Sequence, residues 1–374
     1  MAEVTRVLIA TDKFKGSLTA VEVADRVATG LLRAAPAATV TALPVADGGD
    51  GTVDAAVAAG FTRCPVTVTG PLGAPVGASY ALGDDGTAVV EMAEASGLRR
   101  LPLGVLAPRE TTTYGTGELL RAALDAGART IVLGVGGSAT TDGGAGMLTA
   151  LGARFLDAAG RPVGPGGGAL AAVVEADLSG LDERLAHTRV VLASDVDNPL
   201  TGPRGAAAVY GPQKGASPAD VAALDAALAL YAQVLDGGAR AQEPGAGAAG
   251  GVGYGALAAL GAEFRPGIEV MLDVLGFERA VRGADLVVTG EGSLDEQTLH
   301  GKAVAGVARA ARAHGARVVA VCGRLALPDE ALTEVGLERA YALTELEPDP
   351  ERCMAHAGPL LEQVAARVAA DWVR

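Results

Sequence analysis

Residues Gly134–Gly146 have the sequence GVGGSATTDGGAG and form the most informative stretch of this chain. They follow the apolar run Thr130–Leu133, which is typical of a buried strand, and precede Met147–Leu151, which is typical of a short helix. Six glycines in thirteen residues allow left-handed turns and leave peptide N–H groups uncovered. The stretch predicts a strand–loop–helix unit of an α/β fold, with a loop suited to an anion.

Two interpretations of this loop are open. A turn that only closes a βα unit needs one or two glycines rather than six, which favours an anion-binding loop. The candidate phosphate-binding residues are Gly136, Gly137, Ser138, Asp142, Gly143 and Gly144. The Asp142 carboxylate is suited either to capping the helix or to facing a metal ion.

Composition indicates a packed globular protein with an acidic surface. Of the 374 residues, 49% are hydrophobic and 20% are charged, and the net charge is −14. This charge argues against a nucleic-acid-binding or anionic membrane surface. Cys64, Cys322 and Cys353 have neither metal-ligand spacing nor the even count of a disulfide framework, which indicates a reducing cytoplasm. The best candidate for a membrane span, 221–235, is interrupted by Asp225, so none is predicted.

Strand and helix patterns alternate at both ends of the chain, whereas residues 64–93 form short alternating runs typical of hairpins. We therefore predict an α/β fold with two domains. A doubly wound, mostly parallel domain is built from residues 1–64 and 284–374, and a second α/β domain, 65–283, is inserted into it. The glycine-rich segment 237–255 has little periodicity, and it fits either a flexible linker or a loop that closes over a ligand.

The first predicted strand, Val4–Thr11, leads directly into a basic loop. Lys13 and Lys15 are placed to bind a phosphate or carboxylate group, because they follow the carboxyl end of a strand. Ser17 is predicted to cap a helix that runs to about residue 34.

The pattern Asp-Gly-Gly-x-Gly occurs twice, at residues 47–51 and 142–146, each time between a predicted strand and a predicted helix. The repetition predicts two anion-facing loops. Asp47, Asp195 and Glu291 fall just beyond the carboxyl ends of predicted strands, where open α/β sheets bind ligands. Carboxylates at this edge suit phosphoryl transfer, in which they hold Mg²⁺ or accept a proton from a substrate hydroxyl.

Several common sites are excluded. The P-loop pattern fails because Lys302 is followed by Ala303 and position 296 is Glu. No Gly-x-Ser-x-Gly nucleophile elbow occurs, and the four histidines are scattered, which argues against a zinc site. Residues 134–139 match the dinucleotide fingerprint Gly-x-Gly-x-x-Ala, but the predicted helix starts too late for it. An NAD(P)-dependent dehydrogenase and a non-catalytic anion-binding protein are therefore less favoured alternatives.

Seven stretches of the sequence are similar, in order, to motifs of the type I glycerate kinases. They are DKFKGSL (12–18), PVADGGDGT (44–52), TTYGTGEL (112–119), GGSATTDGGAGML (136–148), DVDNPLTG (195–202), YGPQKG (210–215) and GEGSLDEQTLHGK (290–302). The chain thus resembles this family along essentially its whole length. The resemblance implies two α/β domains with the active site between them. It also implies ATP- and Mg²⁺-dependent phosphorylation of D-glycerate at the 2-hydroxyl, with a glycerate 3-kinase or a kinase of another small hydroxy acid as alternatives.

The resemblance, together with the positions at strand ends, suggests roles for individual residues. The catalytic candidates are Asp195, Asp47 and Lys15, and the metal-ligand candidates are Asp195 and Glu291. The candidates for binding the substrate are Lys13, Ser17 and Asn198. The further candidates for binding ATP phosphates are Lys214, Gly290, Glu291 and Lys302. We expect a cytoplasmic monomer or homodimer that binds D-glycerate and ATP, and neither nucleic acid nor membrane.

Overall fold

The computed structural model describes residues 4–300 and 302–373, so Gly301 of the last motif lies outside the described residues. The strands are β1 (Arg6–Thr11), β2 (Thr39–Ala42), β3 (Thr62–Thr69), β4 (Pro75–Leu82), β5 (Thr87–Glu91), β6 (Thr130–Gly134), β7 (Arg154–Leu156), β8 (Glu175–Asp177), β9 (Arg189–Ala193), β10 (Glu263–Arg265), β11 (Leu286–Leu294), β12 (Arg317–Leu325) and β13 (Arg339–Ala342).

The α-helices are α1 (Ala20–Ala34), α2 (Thr52–Ala58), α3 (Ala93–Ser96), α4 (Tyr114–Asp125), α5 (Ala145–Ala150), α6 (Ala206–Tyr210), α7 (Pro218–Asp236), α8 (Ala248–Ala259), α9 (Gly267–Val274), α10 (Phe277–Val281), α11 (Ala303–Ala313), α12 (Asp329–Glu334), α13 (Pro350–Ala355) and α14 (Ala357–Trp372). Short 3-10 helices are Leu98–Arg100, Gly167–Ala172, Glu183–His187, Pro212–Lys214, Glu296–His300 and Leu343–Glu345.

The chain divides into two compact units. Unit 1 consists of residues 1–47, 54–60 and 266–374, and unit 2 of residues 48–53 and 61–265. Residues 266–283, placed in the inserted domain by the sequence, belong to unit 1 because α9 packs on α11, where a Cβ on Gly306 would lie 2.6 Å from the Ile268 side chain. The predicted domain limits themselves remain a prediction.

Unit 1 is built on a parallel five-stranded sheet in the order β13-β12-β11-β1-β2. Helices α1 and α14 pack on one side of it, and the close approach requires Gly30, whose Cβ would lie 2.3 Å from the Glu362 carbonyl. Helix α11 packs against β11 and β12. The predicted mostly parallel α/β arrangement assembled from both chain ends is confirmed.

The start of α1 differs from the prediction. Thr19, not Ser17, is the N-cap, and it forms a reciprocal capping box with Glu22. The Ser17 hydroxyl instead donates to the Phe14 carbonyl at 3.1 Å, which stabilises the preceding turn. Both residues have the side chain that a cap needs; the glutamate three residues after Thr19 decides between them.

Unit 2 is built on a six-stranded mixed sheet in the order β10-β9-β6-β5-β4-β3. The strands β5, β6, β9 and β10 are parallel, whereas β3, β4 and β5 form an antiparallel meander, as the alternating pattern predicts. The carboxyl ends of β3, β5, β6 and β9 therefore lie on the same edge of this sheet.

The glycine-rich segment 237–255 is neither a linker nor a closing loop in its second half. Residues 248–257 are buried in the core of unit 2 and make up most of α8. Three successive residues with positive φ, Ala249, Gly250 and Gly251, bend the chain there. Small residues are required by packing, since a Cβ on Gly250 would lie 2.0 Å from the Thr140 carbonyl.

One helix of the described residues, α7, is long and apolar enough to cross a membrane by length and composition alone. Its Leu224, Leu228 and Tyr231 are buried in the core of unit 2. Core helices of globular proteins also meet this criterion of length and composition.

Candidate functional site

Acidic side chains meet at the carboxyl ends of neighbouring strands in unit 1. Asp12 follows β1 directly, and its N–H donates to the Gly290 carbonyl of β11 at 2.8 Å. Asp47 lies a few residues beyond β2. The sequence predicts that Glu291 lies just beyond the end of its strand. In the structure it lies within β11, because β11 stays paired with β12 as far as Leu294.

Burial and like charge act together on Asp12. Its side chain is almost fully buried, and burial, followed by repulsion from Asp47, raises the pKa of its carboxyl group to about 7, with Glu291 adding a smaller effect. Lys13 opposes this shift, and its N–H donates to Asp12 Oδ1 at 2.7 Å. The sequence prediction omits Asp12, although it follows a strand in the way that selected Asp47 and Asp195.

Glu291 is held by two neighbours in unit 1. The Thr298 hydroxyl donates to Glu291 Oε1 at 2.6 Å. Burial raises the pKa of Glu291, while Thr298 and the positive charge of Lys302 lower it. The Lys302 ammonium donates to Gln297 Oε1 at 2.7 Å, so this lysine and Glu291 belong to one polar group.

The basic loop after β1 crosses closely over β11. A Cβ on Gly292 would lie 3.2 Å from the peptide nitrogen of Lys15, so glycine suits this position beside Glu291. Gly290 has a similar role, since a Cβ there would lie 2.2 Å from the Val321 carbonyl. Close packing therefore accounts for the glycine at both positions, including the predicted phosphate-binding Gly290. The Lys15 side chain is exposed at the same edge.

Three hydroxyl groups near this cluster have no partner among the described residues. Thr11 Oγ1, Thr289 Oγ1 and Ser293 Oγ are buried and accept or donate no hydrogen bond there. Such groups are rare in folded proteins and are explained by a ligand or water. Within the described residues, no three or more Asp, Glu, His or Cys side chains are spaced to share one metal ion.

In unit 2, Asp142 is an internal support of the glycine-rich loop. Its Oδ2 accepts hydrogen bonds from the Thr113 N–H at 2.8 Å, the Thr113 hydroxyl at 2.9 Å and the Gly146 N–H at 3.3 Å, and its Oδ1 accepts one from Gly144 N–H at 3.2 Å. Burial raises the pKa of Asp142, and these donors oppose the shift. The carboxylate connects the loop to the start of α4 and to the start of α5.

Lys214 is a buried residue beneath the same loop. It is 1% exposed, and its ammonium donates to the Thr140 carbonyl at 2.5 Å. Burial lowers the pKa of Lys214 to about 7, against the favourable charge of Asp142. The geometry gives this lysine a loop-supporting position, whereas the sequence suggests a phosphate-binding one.

The first part of the loop is less committed to internal bonds. The Gly136 N–H donates to the Gly48 carbonyl at 3.3 Å, and Gly143 N–H to Gly250 at 3.0 Å. For Gly137 and Ser138, no bond from the peptide N–H reaches another described residue. These two N–H groups are therefore available to an anion.

The other Asp-Gly-Gly-x-Gly turn, at residues 47–51, already binds a carboxylate of the chain itself. Glu91 Oε2 accepts hydrogen bonds from the N–H groups of Gly51 at 3.0 Å and Val53 at 3.4 Å, at the start of α2. Arg99 donates to Glu91 at 2.8 Å and lies 3.8 Å from Asp50. The two turns therefore share a sequence pattern but differ in what their amides bind.

The remaining predicted residues of unit 2 lie after β9. Asp195 follows that strand closely and is partly exposed. Asn198 is engaged on both sides of its amide, donating to the Arg204 carbonyl at 2.8 Å and accepting from the Tyr210 hydroxyl at 2.6 Å. Its side chain thus fixes the loop after β9.

The dinucleotide alternative loses its geometric basis. Helix α5 starts at Ala145, well after the glycine pattern of residues 134–139. The fingerprint needs a helix that begins within the pattern.

Comparison with known proteins identifies the family. The model of the glycerate kinase family matches residues 7–373. A glycerate kinase of Bacillus subtilis (strain 168) is 45% identical over 98% of this chain and 97% of its own length. The chain belongs to the glycerate kinase family.

Further relatives agree. The glycerate 2-kinase of Escherichia coli (strain K12) is 44% identical over 90% of both chains. A crystal structure from Salmonella typhimurium LT2, provisionally assigned as glycerate kinase 2, superposes with a TM-score of 0.85 at 44% identity and covers 99% of this chain and 98% of that one. As a glycerate kinase the chain is a phosphotransferase with an alcohol acceptor, and the two-domain α/β prediction is confirmed.

Proposed function

We propose that this glycerate kinase transfers the γ-phosphoryl group of ATP to the 2-hydroxyl of D-glycerate, giving 2-phosphoglycerate and ADP. The observation that carries the proposal is the near full-length similarity to relatives named for this reaction, one of them a glycerate 2-kinase. The glycerate oxygen forms a bond to the γ-phosphorus, the bond from that phosphorus to the β-phosphate oxygen breaks, and the hydroxyl proton passes to a carboxylate of the protein.

The acidic and basic residues at the carboxyl edge of unit 1 support this chemistry. Lys15, with Lys13 and Ser17, is proposed to bind the glycerate carboxylate. Asp47, whose charge acts on buried Asp12, is proposed to orient the hydroxyl group. Positioning and charge compensation supply most of the catalysis in phosphoryl transfer, which suits a site built of fixed charges.

Asp195 remains our proposed base or metal ligand, since it follows a parallel strand of unit 2 at its carboxyl end. The N–H groups of Gly137 and Ser138 are proposed to bind phosphate oxygens, with Lys302 compensating charge. We assign Lys214 to loop support, because its ammonium is directed at the Thr140 carbonyl.

Mg²⁺ is proposed as the cofactor. The mutual repulsion of Asp12, Asp47 and Glu291 favours a cation, and Mg²⁺ is commonly bound by one or two carboxylates together with substrate phosphates. Glu291 and Asp195 are the proposed protein ligands. When bound, Mg²⁺ would neutralise charge on the phosphate oxygens.

The test is a coupled ADP-release assay with D-glycerate, L-glycerate and related hydroxy acids, followed by phosphorus NMR of the product. We expect turnover with D-glycerate and a 2-phosphate resonance pattern. A 3-phosphate product would show that the enzyme is a glycerate 3-kinase. Preference for another hydroxy acid would show that the substrate is that acid and not D-glycerate. ATP binding without ADP release would contradict catalysis.

A cytoplasmic enzyme acting as a monomer or homodimer, without nucleic-acid or membrane partners, completes the proposal. The three described cysteines are free, which is consistent with a reducing compartment. Light scattering coupled to size-exclusion chromatography measures the oligomeric state.

A further inference from the structure

Unit 2 contains a cavity of about 600 Å³ that no residue role assigned above explains. Helices α4 and α5, strand β7, the loop 162–166 and the turn between β3 and β4 surround it. Thr69, at the carboxyl end of β3, lies in its wall, so the cavity opens beside the edge at which open α/β sheets bind ligands. Its volume lies within the usual range of small-molecule sites.

The walls are chemically suited to a flat, largely apolar ring system. Only 3% of the chain is aromatic, yet Tyr114 and Phe155 both line this cavity, together with Leu72, Val163 and Leu170. Polar side chains are a minority of the wall; they include the hydroxyl groups of Thr112 and Thr149 and the charged groups of Glu110, Asp142 and Arg154. Such a lining favours an aromatic base with hydrogen-bonding edges over a three-carbon acid such as glycerate, whose charged and hydroxyl groups need cations and donors on all sides.

The cavity is continuous with the glycine-rich loop. Asp142, Ala145 and Gly146 form part of its wall and end the same loop in which Gly137 and Ser138 keep unbonded N–H groups. This arrangement requires glycine at position 146, because a Cβ there would lie 2.3 Å from Thr112 Oγ1. A ligand with an apolar ring at one end and phosphates at the other would use both parts of one loop.

We infer that the cavity between α4, α5 and the loop 162–166 binds the adenosine part of ATP. The inference rests on the proposed kinase function, because that function supplies ATP as the ligand. It goes further in assigning the base to unit 2 and to residues outside the predicted site.

The test fills the cavity from an exposed position. Thr149 lies on the exposed side of α5, and its hydroxyl donates to the Ala145 carbonyl one turn earlier at 2.8 Å. Thr149→Trp should weaken binding of adenosine and ATP at least tenfold in calorimetry and raise KM for ATP similarly, with KM for D-glycerate changed less than twofold. Thr149→Ala removes the hydroxyl without filling the cavity and should weaken binding of adenosine and ATP less than Thr149→Trp does.

Thr29 of α1 provides a matched control. It is an exposed helical threonine whose hydroxyl donates to the Asp25 carbonyl, also at 2.8 Å, and it lies in unit 1. Thr29→Trp should leave the affinities for adenosine and ATP and both KM values unchanged. Leu72→Trp, on an exposed turn of the cavity wall, is a second filling variant that should fold even where Thr149→Trp does not.

The outcomes separate the cavity from the proposed reaction. Unchanged affinity for adenosine and ATP in folded Thr149→Trp or Leu72→Trp overturns the inference, whatever the activity. Wild-type binding of adenosine that either filling variant abolishes supports it even when D-glycerate is not phosphorylated, and only the proposed function then fails.

Discussion

The ammonium group of Lys214 donates a hydrogen bond to the carbonyl oxygen of Thr140, 74 residues earlier in the chain, at 2.5 Å. The same carbonyl packs against the left-handed turn at Gly250. Buried Lys214 and the glycine-rich turn of α8 thus hold the loop 134–146 in place at Thr140, and Asp142 connects the same loop to α4. The second half of the loop, which the sequence predicts to bind an anion, is thus held by internal bonds.

Replacing Lys214 by Met should change how stability depends on pH. Burial lowers the pKa of Lys214 to about 7 from an ordinary value of 10.5. Between these values the unfolded chain retains the proton that the folded chain has lost, so the free energy of unfolding of the wild type rises with pH. The Lys214→Met variant lacks this rise, and the wild type should gain on it between about pH 7 and pH 10.

Urea unfolding of both proteins at several pH values measures this difference, with Lys302→Met as the control at a lysine outside the core. Parallel stability profiles for wild type and Lys214→Met would show that Lys214 keeps an ordinary pKa, contrary to the expectation.

Glu91 should produce the opposite trend at lower pH. Burial raises the pKa of Glu91 to about 7 from an ordinary value of 4.5, with Arg99 opposing the shift. The folded state then holds a proton that the unfolded state releases, and stability is lost as pH rises between these values. Glu91→Gln removes the titration, so its stability relative to wild type should increase from pH 4.5 to pH 7. Thermal unfolding with exposed Glu338→Gln as the control checks this; equal slopes would refute it.

Asp12→Asn should lower kcat by roughly 10²–10⁴, the usual effect of losing a catalytic or metal-binding carboxylate. The folded protein should become more stable, because the substitution removes a buried charge that repels Asp47 and Glu291. Steady-state kinetics and a thermal melt measure both effects. Exposed Asp84→Asn is the control, and an Asp12→Asn variant with normal kcat would exclude Asp12 from the site.

Gly146→Ala should destabilise the protein by about 1–3 kcal/mol, the usual cost of forcing an extra group into a packed region. The added Cβ would lie 2.3 Å from Thr112 Oγ1 and 2.7 Å from the Tyr114 nitrogen. Gly77→Ala in β4 has no atom within 4 Å of the added group and should cost much less. Denaturant unfolding compares the two, and equal losses would contradict the steric explanation.

The sequence predicts those features that depend on neighbours along the chain. The strand β6 begins at the predicted Thr130 and ends one residue beyond the predicted run, and the meander β3–β5 follows its alternating pattern. Lys214 and Asp142 were beyond such reasoning, since their partners lie 74 and 29 residues away. A buried lysine in a short turn has the same local sequence as an exposed one.

The segment 248–257 shows a second limit. Its alanines and glycines are apolar on every side, so no polar face reveals the helix by periodicity. Asp12 shows a limit of a different kind: its position after β1 was visible, but burial and the adjacent carboxylates that raise its pKa arise only when β1 pairs with β11.

The pairing of β1 with β11 also sets an order for biosynthesis. β1 is an inner strand of unit 1, yet β11 begins only at Leu286. At the usual rate of translation, the ribosome takes on the order of tens of seconds to make the intervening chain. All of unit 2 emerges in that interval and can fold first, while the apolar segment Val7–Ala10 waits without its partner. Nascent chains stalled before β11 should therefore protect unit 2 from protease and leave the amino-terminal segment open to chaperones.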